Sequence, residues 1–147
     1  MELSQDFKEF VQLLNAHKVE FLIVGGYAVA FHGFPRNTGD IDFWIKPYNE
    51  NAERLMKALI DFGFGSVDLN KEDFLNKDQV IQLGFPPNRI DIMTSVSGVE
   101  FDDCWKEKEV IDFEGERLNF ISLRHLKINK LQTGRDKDKM DLKNLPE

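Results

Sequence analysis

The chain is predicted to fold as an α/β protein, with a mixed sheet flanked by helices, and three observations predict it. Short apolar runs that stop at glycine or proline alternate with stretches in which apolar residues recur every three to four positions. A content of 41% hydrophobic residues, with 13 phenylalanines among 147 residues, is enough to fill a real core. Asp40-Ile41-Asp42 alternates carboxylate and isoleucine, the period of a strand whose two faces meet different surroundings.

The elements follow in chain order. Ser4 caps a predicted helix to about His17, with Phe7, Phe10, Val11 and Leu14 on one face. Phe21 to Val24 reads as a buried strand, Gly25-Gly26 as a turn, and Tyr27 to Phe31 as a short helix. A loop, Phe34-Pro35-Arg36-Asn37-Thr38-Gly39, leads into a strand over Asp40 to Ile45, which Pro47 ends. A helix over Asn49 to Phe62 presents Ala52, Leu55, Met56, Leu59 and Ile60, and a short helix is expected near Lys71 to Leu75. Gln79 to Leu83 and Arg89 to Met93 read as a hairpin around Phe85-Pro86-Pro87-Asn88. A second hairpin joins Glu109 to Phe113 with Arg117 to Ile121, and the last quarter is helical, broken near Thr133-Gly134. Met56, Met93 and the phenylalanines read as core.

The chemistry concentrates between Phe21 and Ile45. Glycines let a backbone approach a ligand closely, and free N–H groups at a following helix start favour an anion, so Gly25 and Gly26 fit a phosphate cradle. The same pair is also read as a turn that only packs helix on strand. Asp40 and Asp42 project from one strand face, where mutual repulsion and burial are relieved by a divalent cation such as Mg²⁺. Solvation, or capping by Arg36 or Arg89, is the alternative for this pair. Asp91, flanked by isoleucines, adds a third carboxylate from a second strand, enough for two metal ions.

Around these motifs the sequence resembles the nucleotidyltransferase superfamily, with its DNA polymerase beta-like fold. The pattern is an apolar strand, Gly25-Gly26, Asp40-Ile41-Asp42 and the later lone Asp91. Gly-Gly-Tyr-Ala-Val-Ala, His32-Gly33, Arg36, Thr38, the Asn51 to Gly65 stretch and the Lys130, Arg135 to Asp138 and Asp141-Leu142 pattern are similar to the branch holding abortive-infection AbiE-type toxins and lincosamide-type adenylyltransferases. The resemblance spans most of residues 19 to 142. It implies a minimal nucleotidyltransferase domain over residues 1–147, with a catalytic core at 1–121 and a C-terminal helical segment at 122–147. It implies that Gly25 and Gly26 hold nucleotide phosphates, that Asp40 and Asp42 ligate Mg²⁺, and that Asp91 completes a two-ion site and helps deprotonate an acceptor hydroxyl.

The implied activity moves NMP from an NTP, most readily ATP, to a hydroxyl on a small molecule, a protein or an RNA end. Two other readings stay open: a toxin–antitoxin or phage-defence component of the same fold with a cognate protein partner, and a catalytically silent relative that binds nucleotide or partner. Further candidate nucleotide-binding residues are Arg36 and Thr38, just ahead of Asp40, and Lys130 and Lys137 in the last quarter. Arg36 is equally read as pairing with a surface acid, and the two lysines as a solvated helix face. His32 is read as packing or as a base.

Composition narrows the partners. A net charge of −7 and no long basic block argue against general nucleic-acid binding, the one dense basic cluster being Lys127, Lys130, Arg135, Lys137 and Lys139. The lone Cys104 excludes an internal disulfide and a multi-cysteine zinc site and reads as packing. A polar start and the lack of an apolar run near twenty residues predict no secretory leader, no membrane span and a cytoplasmic location.

Overall fold

The computed structural model describes residues 2–65 and 68–147. Helix α1 (Gln5–Ala16) starts where expected: the Ser4 hydroxyl accepts from the Phe7 amide, and Phe7, Phe10, Val11 and Leu14 are buried. β1 (Phe21–Val24), α2 (Gly25–Phe31), β2 (Asp40–Ile45), α3 (Asn49–Leu59), β3 (Val80–Leu83), β4 (Arg89–Met93), α4 (Phe101–Glu107), β5 (Glu109–Phe113), β6 (Glu116–Phe120), α5 (Leu123–Thr133) and α6 (Asp136–Asn144) follow. A single 3₁₀ turn, Lys71–Phe74, stands for the short helix expected there.

The six strands form one mixed sheet in the order β3-β4-β2-β1-β6-β5. β2 runs antiparallel to β1 and parallel to β4, and β6 runs parallel to β1. Strand alternation then sorts the side chains. Phe21, Ile23, Ile41, Phe43, Ile90 and Ile92 share one face and are buried, and Phe10 of α1 meets Phe43 edge to face at 5.3 Å. The opposite face carries Asp40, Asp42 and Trp44 from β2 with Asp91 and Met93 from β4, and Trp44 packs edge to face on Phe101 of α4.

Three expectations are corrected. The helix over residues 49–62 closes at Leu59 and continues as a wider turn, Ile60–Phe64, because Gly63 sits at φ 113°; Ile60 therefore leaves the core face and is 55% exposed. Phe85 is not core: the hairpin turn holds it out, 85% exposed. The helical hydrogen bonding of α2 opens at Gly25 rather than after the glycine pair. The acid-rich Phe101–Glu107 stretch forms a helix, with Asp102 and Asp103 in its first turn, where carboxylates favour the dipole. In that helix Cys104 is fully buried, and burial, with Asp103 and Glu107 nearby, pushes its thiol up to about 12, as befits a packing residue. No helix of the described residues is long and apolar enough to cross a membrane.

Candidate active site

The three carboxylates predicted to act together do meet. Parallel pairing sets Asp42 beside Asp91 and Asp40 beside Arg89, so β2 and β4 deliver the acids to one patch of the sheet. One oxygen from each of Asp40, Asp42 and Asp91 lies within 4.8 Å of the others. Such closeness without a cation is electrostatically costly, and the site answers in two ways. Burial, then the charges of Asp40 and Asp91, pushes Asp42 up to about 8, so it holds a proton at neutral pH. Arg89 supplies positive charge: its Nε and Nη2 donate to both oxygens of Asp91 at 2.8 and 3.0 Å, and Nη2 also reaches Asp40 Oδ2 at 3.2 Å.

The other two acids settle differently. Burial works to raise Asp40, but hydrogen bonds with Asp42, Asp91 and Thr38 and the charge of Arg89 leave it below the usual carboxylate range. Burial raises Asp91 despite its Arg89 partner. The donor set of three clustered carboxylates supplies the hard oxygens that Mg²⁺ takes.

Gly25 and Gly26 border this patch for a reason that the sequence did not show. A Cβ on Gly25 would lie 1.9 Å from Asp42 Oδ2, and its φ of 64° is one that glycine adopts without strain. A Cβ on Gly26 would press on Thr38, at 3.1 Å from Oγ1. Thr38 in turn donates to the Asp40 carboxylate at 3.0 Å, so it orients an acid of the cluster.

The basic candidates divide. Arg36 makes a two-point ion pair with buried Asp141, Nε to Oδ1 at 2.9 Å and Nη2 to Oδ2 at 3.0 Å. Lys130 is no solvated face residue: it is 3% exposed, with Nζ 3.1 Å from both Asp138 and Asp141. These pairs tie α5 and α6 to the loop that carries Thr38. Lys137 is exposed and lines the cleft above the carboxylates, as Lys130 does. His32 gives its Nε2 to the Ile121 carbonyl at 2.7 Å, a packing role.

The cleft itself has a volume of about 360 Å³ and is walled by β2, β4, the 95–97 loop and the start of α6. Arg135, named in the sequence only within the family-like pattern and the basic cluster, joins the cleft. Asp138 accepts from its Nε at 2.7 Å and its backbone N–H at 3.1 Å, so the guanidinium is steered into the cleft with its side chain 58% exposed. The signal was present: an acid three residues into a helix commonly caps its first residue, and Asp138 stands three after Arg135. Carboxylates together with Arg135 and Lys137 in the lining of one cleft suit an anion bound through a cation.

Comparison with known proteins identifies the family and the fold. A family model described as nucleotidyltransferase of unknown function (DUF6036) matches residues 1–145. No curated protein matches the sequence significantly. Among solved structures, a candidate nucleotidyltransferase from Thermotoga maritima superposes with a TM-score of 0.63 at 19% identity, over 93% of this chain and 88% of that one. The lincosamide antibiotic adenylyltransferase LnuA, in its lincomycin-bound form, gives a TM-score of 0.63 at 15% identity, over 97% and 95% of the two chains. An antigenic nucleotidyltransferase-like protein from Paracoccidioides brasiliensis gives 0.55 at 18% identity, over 97% and 75%. At these identities the likeness is one of fold.

Proposed function

The chain belongs to the DUF6036 family of nucleotidyltransferases, and on that premise we propose that it is a Mg²⁺-dependent enzyme that transfers NMP, in the first instance AMP from ATP, to a hydroxyl acceptor. The observation that carries this reading is the three-carboxylate cluster, with oxygens within 4.8 Å, opening into a cleft that Arg135 and Lys137 line. The adenylyl choice draws on the LnuA likeness. The whole chain, 1–147, acts as one domain.

Asp40, Asp42 and Asp91 are the residues that would hold the ion. When bound, Mg²⁺ neutralises the phosphate oxygens and aligns them for displacement. The protein does the rest by positioning, which supplies most of the acceleration in phosphoryl chemistry. Arg135 and Lys137 take the outer phosphates, and Gly25 keeps the space beside Asp42 clear. The acceptor oxygen attacks the α-phosphorus, the bond to the bridging oxygen breaks and pyrophosphate leaves. Asp91, raised by burial, is suited to receive the hydroxyl proton at a carboxylate oxygen. Arg36 and Lys130 act at one remove, by fixing α6 against the Thr38 loop.

Labelled ATP tests the reaction type. With Mg²⁺ and an acceptor mixture, label at the α-phosphate is expected to enter product while label at the γ-phosphate leaves as pyrophosphate. Transfer of the γ label instead would mark a kinase and overturn the reading.

A further inference from the structure

The sheet face that carries the carboxylates continues into a second cavity. Alternation along β2 puts Trp44 on the same side as Asp40 and Asp42, roughly 7 Å beyond Asp42 at the usual strand rise. Val24 pairs with Asp42, so the chain at Gly25 turns away toward the Asp40 end, opposite to Trp44. The carboxylates thus lie between the glycine turn and Trp44. Beyond Trp44 opens a cavity of about 360 Å³ that shares Ser95, Val96 and Ser97 with the carboxylate cleft.

Its walls are of mixed character. Trp44 and Phe101, with ring centroids 5.1 Å apart, give an aromatic side. Asp78 and Glu100 set two carboxylates against one cation, Lys77, and the Ser95 hydroxyl donates to Asp78 at 2.7 Å. Trp44 is 2% exposed, and its indole N–H has no acceptor among the described residues. A buried donor without a partner is unfavourable and rare enough to need a cause. Trp44 lines the cavity, so this unpartnered donor lies in its wall.

We propose that this cavity binds the acceptor, and that the acceptor is a small amphipathic molecule rather than a protein or an RNA end; the inference rests on the nucleotidyl-transfer reading. The occupant lays an apolar or aromatic part against the wall that Trp44 and Phe101 form. It directs a cationic amine to Asp78 and Glu100, and turns a hydroxyl toward Asp91. A volume of about 360 Å³ is in the range of small-molecule sites, about 300–1,000 Å³. The chemistry balances without a further reactant. The acceptor oxygen forms its bond to the α-phosphorus, pyrophosphate departs with the electron pair of the broken bond, and the hydroxyl proton is released to water.

The test uses [α-³²P]ATP with Mg²⁺ and, as separate acceptor sources, the ultrafiltrate and the macromolecular retentate of a yeast extract. The proposal expects label in ultrafiltrate species, with Val99→Trp, which fills this cavity and not the carboxylate cleft, reducing it at least tenfold. Glu100→Lys, at an exposed position, is expected to do the same should Val99→Trp fail to fold. Both variants keep the wild-type thermal shift with Mg²⁺ and ATP. Label confined to the retentate, or undiminished transfer in the folded variants, overturns the acceptor cavity and leaves nucleotidyl transfer standing. No label in either source, with the Mg²⁺ and ATP shift intact, overturns the transferase reading and the cavity with it.

Discussion

Gly25 and Asp42 are packed so closely that a Cβ on Gly25 would sit 1.9 Å from the Asp42 Oδ2 atom. The glycine is therefore required by the carboxylate before any ligand is considered, and a side chain there displaces an acid of the cluster. Its φ of 64° adds left-handed strain of about 1–2 kcal/mol for any L residue. Gly25→Ala is expected to lower Tm in EDTA and to abolish the added stability from Mg²⁺ with ATP, both read by thermal unfolding.

Asp42 gives the metal-free protein a pH dependence of known sign. Its folded value, about 8, lies above the ordinary 3.8, so the folded state keeps a proton that the unfolded chain releases. The stability that this proton contributes is complete below about pH 4 and is lost as pH rises through about 8. Denaturant unfolding in EDTA should show stability falling over that window, and Asp42→Asn should flatten the fall and be the more stable protein at pH 8. Stabilisation by Mg²⁺ runs the other way, growing as Asp42 ionises.

Arg89 donates to Asp40 and Asp91, two of the carboxylates that would hold a metal ion. Arg89→Met removes the only cation bonded to these acids among the described residues, so Tm in EDTA is expected to drop. The shift on adding Mg²⁺ is then larger than in the wild type. Equal Mg²⁺ shifts in the two proteins would show that Arg89 does not stand in for the ion.

Lys130 and Lys137 should separate cleanly. Breaking a buried pair by removing one partner leaves an uncompensated charge and costs about 3–5 kcal/mol. Lys130→Met is expected at the lower end, because Arg36 still holds Asp141 and Arg135 still holds Asp138. Lys137→Ala, at an exposed position, is expected within about 0.5 kcal/mol of wild type in denaturant unfolding while weakening ATP binding.

The strands and the acid cluster were legible because both depend on local period. Asp40, Ile41 and Asp42 alternate in any strand, and the isoleucines beside Asp91 fix its face. What reached across the chain was not legible. Arg36 and Asp141 are 105 positions apart, and only the folded arrangement shows that they form one ion pair. Lys130 reads as a phosphate ligand or a solvated helix face, and not as a buried ion-pair partner, because its two acids lie on the following helix, past the break at Gly134, which has a φ of 62°. The acids of α4 masked a helix, and Gly63 ended another early, since a left-handed glycine is invisible to a count of apolar spacing. Phe85 was misplaced for the opposite reason: a turn exposes what hydrophobicity alone would bury.

Thermal unfolding of wild type and Asp40→Asn with ATP, GTP, CTP or UTP, each with and without Mg²⁺, reads the metal–nucleotide site itself, since no acceptor need be known. A ligand at about 100 times its Kd stabilises the native state by roughly 2.7 kcal/mol. A Tm rise is expected that requires both Mg²⁺ and a nucleotide, is largest with ATP, and is absent in Asp40→Asn. A wild-type protein that melts cooperatively and gains nothing from any nucleotide with Mg²⁺ would contradict it.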